Sequence, residues 1–227
     1  LILKRELTMF LSEACKPRQS VFNRDRRDVV LDISDLFESK IDGEAFFEEN
    51  FITSGMKVLI EKSFERLEGR GDQASTFLLA QAMGGGKTHN MIALGLLAKD
   101  PSLRKQVLGN DGPGSVLGGV RVVGFNGRQS DAPFGIWGEI ADQLGKKDVF
   151  SDCYSPLQAP GQNAWINLLK GEPTIILLDE LPPYLDNAKS KEIGNSDLSV
   201  VTTTAIANLL VAVNKKELSN VCVVISD

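Results

Sequence analysis

The chain has 227 residues, 42% of them hydrophobic and 24% charged, enough for one sizeable core or for one domain with an appendage. A net charge of −5 and a pI near 5.1 argue against nucleic-acid binding by the whole surface, and no apolar run approaches the roughly 20 residues of a membrane span. A single histidine, His89, excludes zinc sites built on two or three histidines, and three cysteines without a CxxC pair fit reduced thiols in a cytoplasmic protein.

The first residues, LILKRELTMF, carry no apolar core followed by a small-residue cleavage site, so no secretory signal is expected; without an initiating Met, the chain reads as a trimmed fragment. A basic run, KPRQSVFNRDRR (16–27), is first of all a solvated surface segment, with a nucleic-acid or partner contact as the lesser reading. VVLDIS (29–34) has the composition of a short strand, and the acidic, phenylalanine-dotted stretch 35–51 reads as a segment packed on the main domain. Met56, Leu59, Ile60, Phe64 and Leu67 recur at helical spacing, predicting an amphipathic helix over 54–68, capped by Thr53 or Ser54 and ended by Gly69 and Gly71.

STFLLA (75–80) predicts a strand. Three glycines follow, then a helix apolar nearly all round (Met91, Ile92, Leu94, Leu96, Leu97) that ends before Pro101 and is expected to lie buried on a sheet. Residues 108–119 read as loop, VRVVGF (120–125) as a second strand, and Asp131 with Pro133 as the start of a helix bearing Trp137, Ile140, Ala141 and Leu144. A loop at 151–162 and a short helix at 164–169 precede TIILLDE (174–180), the third strand. A polar, mobile-looking stretch (186–199), a helix over 201–218 and a fourth strand, VCVVISD (221–227), complete the chain. Strands alternating with helices predict right-handed crossovers and a parallel sheet covered on both faces.

Two motifs carry chemistry. Gly84-Gly85-Gly86-Lys87-Thr88 stands between a strand and a helix, where glycines let the backbone curl around phosphates and the helix N-terminus attracts anions. Lys87 would reach the β- and γ-phosphates and the Thr88 hydroxyl would bind Mg²⁺. The strict pattern wants a glycine where this chain has Gln81. Asp179-Glu180 closes a strand apolar without alternation, as expected for a central parallel strand, and places two acids where open α/β sheets bind ligands. Asp179 would hold Mg²⁺ and Glu180 would orient or deprotonate the attacking water. Each motif alone also fits a plain turn or a surface acid pair; their combination favours nucleotide binding. Ser226 with Asp227, and Asn126, stand at the ends of other strands; they are weaker candidates for contact with the γ-phosphate or the attacking water.

GGGKT, LLDE and the polar end of VCVVISD resemble the Walker A, Walker B and sensor-1 patterns of AAA+ ATPases. More closely, FFEENFITSGMKVLIEKSFERL, QAMGGGKTHNMIALGLL and ILLDELPPYL resemble a prokaryotic group of AAA+-like ATPases designated as a domain of unknown function, often encoded near DNA methyltransferases and helicases in restriction or phage-defence clusters. The resemblance implies a three-layer α/β/α P-loop NTPase core of the additional-strand, catalytic-glutamate class, with strand order 5-1-4-3-2. It implies a domain over 54–227 with residues 1–53 as an N-terminal extension packed on it. It further implies ATP and Mg²⁺ as cofactors, with Met83, Gly84, Gly85, Gly86, Lys87, Thr88 and His89 around the nucleotide, Thr88 and Asp179 at the metal, and Glu180, Lys87 and Ser226 in catalysis. Asp227 precedes the fifth strand, arginine finger and sensor-2 helix of that group, so partners or self-association are expected through a further C-terminal region, with nucleic acid involved only indirectly. The loop NGRQSDAP lacks the aromatic-apolar-Gly pattern of protein-threading pores. An ATPase driving conformational change in a larger assembly is the leading expectation; a nucleotide-binding switch with little turnover is the alternative, and a small-molecule kinase a third.

Overall fold

A computed structural model describes residues 15–17, 22, 31–70, 72–80, 86–128 and 131–226. Residues Leu31–Asp227 form one compact unit, and Leu1–Val30 a separate one in which Cys15 is exposed. The expected extension over 1–53 is therefore divided: residues 31–53 belong to the same unit as the sheet. Most of the basic run lies outside the described residues, as do Gln81, Met83, Gly84, Gly85 and Asp227.

Four strands form the central sheet: β1 (Thr76–Leu79), β2 (Arg121–Asn126), β3 (Thr174–Asp179) and, last in the chain, β6 (Val221–Ser226). Their order is β1-β6-β3-β2 and every pairing is parallel. This α/β architecture agrees with the alternation in the sequence, and it puts the fourth apolar strand between the two that end in the motifs. All six residues of β3 are buried, which explains why TIILLD lacks the alternation of a half-exposed strand.

One face of the sheet is covered by α1 (Ile33–Phe37), α2 (Gly43–Glu49), α3 (Ser54–Leu67), α4 (Lys87–Lys99) and α5 (Pro101–Leu108). On α3 the five predicted core residues are all buried, and Thr53 caps the helix by accepting from the Met56 amide at 3.2 Å. α4 is buried from Asn90 to Ala98, as an all-round apolar helix must be. Arg66 reaches from α3 under the sheet edge and donates to the carbonyls of Val213, Leu218 and Val221 at 2.6, 3.0 and 3.2 Å, tying the approach to β6 into place.

The other face carries α6 (Gly135–Gln143), α7 (Gln162–Leu169), α8 (Leu181–Ala188) and α9 (Leu198–Ala212), with 3₁₀ turns at Lys147–Cys153 and Lys216–Leu218. Trp137, Trp165 and Phe150 fill its core.

Several local expectations are corrected. The described part of VVLDIS is no strand: Asp32 accepts from the Ser34 amide at 2.8 Å and starts α1. α5 was not anticipated; Asp100 caps it and Pro101 occupies its first turn, where the missing N–H is harmless. α6 begins at Gly135, after the Asp131–Pro133 turn. The polar stretch 186–199 holds the end of α8 and an antiparallel ribbon of β4 (Glu192–Ile193) and β5 (Ser196–Asp197), and the helix expected over 201–218 is α9 followed by the second 3₁₀ turn.

Candidate functional site

Parallel register aligns the carboxyl ends of the four strands. Leu79 pairs with Ser226 and Asn126 with Asp179, while Leu178 beside Ile225 brings Asp179 next to Ser226. Polar residues thus cap apolar strands along one rim: Asp179 is 3% exposed, Ser226 1% and Asn126 9%. A carboxylate buried this deeply must be hydrogen-bonded, and it is. Asp179 Oδ2 accepts from Thr88 Oγ1 at 2.8 Å, and Oδ1 accepts from Ser226 Oγ. The first turn of α4, the end of β3 and the end of β6 therefore converge on one carboxylate.

Gly86 adopts φ +78°, the left-handed conformation open to glycine at small cost, and is the cap residue of α4. Lys87, Thr88 and His89 follow as the half-buried first turn, at the positive end of a 13-residue helix. The His89 ring lies against Phe46 of α2, with centroids 5.9 Å apart.

Glu180 is built differently from Asp179. It turns the chain from β3 directly into α8 with φ +55° and ψ +42°, a left-handed conformation uncommon outside glycine, at a cost of order 1 kcal/mol. Pro182 and Pro183 follow in the first turn of α8, where proline is accepted. Its amide donates to Ser226 Oγ at 3.4 Å. Its carboxylate, about one-third exposed, lies 3.2 Å from Nε of Arg128.

Arg128 was not singled out from the sequence. It stands two residues beyond β2, and its amide donates to Asn126 Oδ1 at 3.0 Å. Asn126 Nδ2 in turn donates to Asp32 Oδ1 at 2.8 Å, so the cap of α1 is tied to the same rim. Gly127 makes the close passage between the strand ends possible: its amide donates to the Asp179 carbonyl at 2.9 Å, and a Cβ there would lie 2.0 Å from the Glu180 carbonyl oxygen. Tyr184 of α8 packs below, edge-on to Phe125 at 4.9 Å, and burial pushes its phenol above the usual tyrosine range.

Of the residues expected at the site, Thr88, Asp179 and Ser226 touch directly, and Glu180 joins them through its amide. Lys87 and His89 share the helix turn with Thr88; Met83, Gly84 and Gly85 lie outside the described residues. Among the described residues no three His, Cys, Asp or Glu side chains group as a metal site. A hydroxyl and one carboxylate suit a hard cation that completes its shell with water and phosphate oxygens, the way Mg²⁺ is usually held.

Fold and site together define an α/β protein with a four-stranded parallel sheet and a polar rim at its carboxyl end. The family model described as the DUF499 N-terminal domain matches residues 21–110 and 130–226, and the chain belongs to that family. No curated protein and no solved structure matches it. Among the described residues, no helix is long and apolar enough to cross a membrane.

Proposed function

We propose that this chain is the nucleotide-binding core of a P-loop ATPase of AAA+-like type, binding Mg²⁺-ATP at the carboxyl end of the sheet and using its hydrolysis to drive conformational change in a larger assembly. The observation that carries the proposal is the contact between Thr88 and Asp179, residues 91 apart in sequence. Walker-type Mg²⁺ sites are made of this pair: a hydroxyl on the first helical turn after a glycine-rich loop, and a carboxylate at the end of another strand of the same sheet. Ser226 from the intervening strand supports the same reading, since it holds the second oxygen of that carboxylate.

In this reading the glycine-rich segment and the α4 N-terminus bind phosphate, with Lys87 on the β- and γ-phosphates. Mg²⁺ would be held by Thr88 with Asp179 and would neutralise charge developing on the phosphates. Glu180 orients or deprotonates water. The two carboxylates have different partners, Thr88 and Ser226 for Asp179 and Arg128 for Glu180, which fits a metal-binding acid beside a water-activating one. The Arg128 ion pair engages the Glu180 carboxylate and would restrain it, favouring slow basal turnover. That contact gives weight to a second reading, a nucleotide-dependent switch. A defence or DNA-modification assembly is the proposed setting, resting on the resemblance of the sequence motifs.

Steady-state phosphate release with Glu180→Gln, beside calorimetric ATP binding, tests the reading. An ATPase loses turnover by 10²-fold or more and keeps its nucleotide. A variant with wild-type turnover removes Glu180 from the reaction and favours the switch.

A further inference from the structure

The polar rim accounts for phosphates and metal but leaves the base of the nucleotide without a seat. His89 stands one residue beyond Thr88 on the first turn of α4, about 100° further round the helix, and is half-buried. Its ring packs against Phe46 in a tilted contact, with centroids 5.9 Å apart and planes at 35°. Phe46 is 5% exposed and is itself fixed edge-on by Phe47, with centroids 5.1 Å apart and planes at 80°. The histidine ring is thus held on one side by the buried Phe46, with the half-buried Phe47 behind it, while His89 itself stays partly exposed on the turn that follows Thr88.

From this arrangement we infer that His89 is the base-stacking residue of the site, and that the site selects purine over pyrimidine nucleoside triphosphates by stacking area. The inference rests on the reading of the site as a phosphate cradle and adds to it the part of the ligand recognised. A ring already fixed by packing loses little freedom when a base stacks on it, so more of the contact appears as affinity. Stacking is tolerant of base identity because every base has a π face, and the larger purine covers more ring. α2 acquires a role in this account: it sets the angle of the histidine ring, which joins the segment 43–49 to nucleotide recognition.

The test is calorimetric binding of Mg²⁺-ATP, Mg²⁺-GTP, Mg²⁺-CTP and Mg²⁺-tripolyphosphate to the chain, with His89→Ala and His89→Phe beside it. Tripolyphosphate has no base and reports the cradle alone. Expected are ATP and GTP bound within about threefold of each other and about tenfold more tightly than CTP. In His89→Ala the affinity for ATP falls about tenfold with tripolyphosphate unchanged, and His89→Phe restores ATP binding. An alanine variant that binds ATP normally, a loss shared equally by tripolyphosphate, or a phenylalanine that fails to rescue would each overturn the inference while leaving the cradle intact. Failure of the unsubstituted chain to bind tripolyphosphate or ATP would overturn the cradle reading itself, and the base seat with it.

Discussion

Replacing Gly127 by alanine puts a methyl group into the tightest backbone passage of the site. Its Cβ would lie 2.0 Å from the Glu180 carbonyl oxygen, 2.8 Å from the carbonyl carbon and 3.0 Å from Tyr184 Cβ. Contacts to backbone atoms below 3.0 Å are essentially never tolerated, so either the loop bearing Arg128 or the end of β3 must shift by about 1 Å. Overpacking of this kind costs about 1–3 kcal/mol, a drop of several degrees in Tm for a domain of this size. The consequence for chemistry is larger, because displacing a positioned catalytic group by about 1 Å can cost about 10²-fold in rate. The helix side of the site, Gly86 to His89, lies on a different element and keeps its place. Gly127→Ala is therefore expected to lower steady-state phosphate release about 10²-fold while Mg²⁺-ATP affinity changes less than threefold. Gly114→Ala serves as the control: its Cβ would meet the Phe64 ring at 2.4 Å, well away from the rim, so it should destabilise without altering turnover per folded molecule. Wild-type turnover in Gly127→Ala with an unchanged Tm would refute the argument, as would a parallel loss of ATP binding.

The Arg128–Glu180 pair is largely exposed on the arginine side and worth about 0.5–1 kcal/mol, so Arg128→Ala should raise basal phosphate release about two- to fivefold; a drop would show that Arg128 assists the reaction instead of restraining Glu180. Arg66→Ala would strand three buried carbonyls, and denaturant titration should register a loss of about 3 kcal/mol or more, whereas a loss under 1 kcal/mol would mean that water replaces the guanidinium. Burial pushes the Cys222 thiol from an unfolded value of 9.0 up to about 12, so the unfolded chain ionises first as pH rises. This contribution to stability is intact below pH 9 and declines above it, by up to about 1.4 kcal/mol per pH unit until about pH 12. Chemical denaturation between pH 9 and 10.5 should accordingly show a shallower loss in Cys222→Ala than in the unsubstituted chain, and equal slopes would contradict the assignment.

Much of the fold was legible because its elements are strongly patterned. The buried stripe of α3 and the unbroken apolar runs of α4 and β3 each have one cheap structural solution. The proximity of Thr88 and Asp179 was also foreseeable, since parallel crossovers bring strand ends to one edge. What escaped depended on short signals or distant contacts. α5 is only eight residues long, and Pro101 reads as the stop of the helix before it, so residues 101–107 carried no expected element although Asp100-Pro101 is a helix start. Asp32 sits in a β-branched stretch that reads as strand until its side chain is seen to cap α1. Arg128 carries no local mark at all; its contact with Glu180 exists only because β2 pairs with β3 in the register that aligns Asn126 with Asp179. No helix is expected from the sequence over 181–188, yet Pro182 and Pro183 stand in the first turn of α8, which follows directly on the turn at Glu180.

The most direct test of the central claim is calorimetric titration of the chain with Mg²⁺-ATP, beside Lys87→Ala and with EDTA as the metal-free arm. The account predicts micromolar binding that is abolished or weakened at least 10²-fold by the substitution and weakened by removal of Mg²⁺. Binding that persists unchanged in Lys87→Ala, or no binding to the unsubstituted chain, would contradict it.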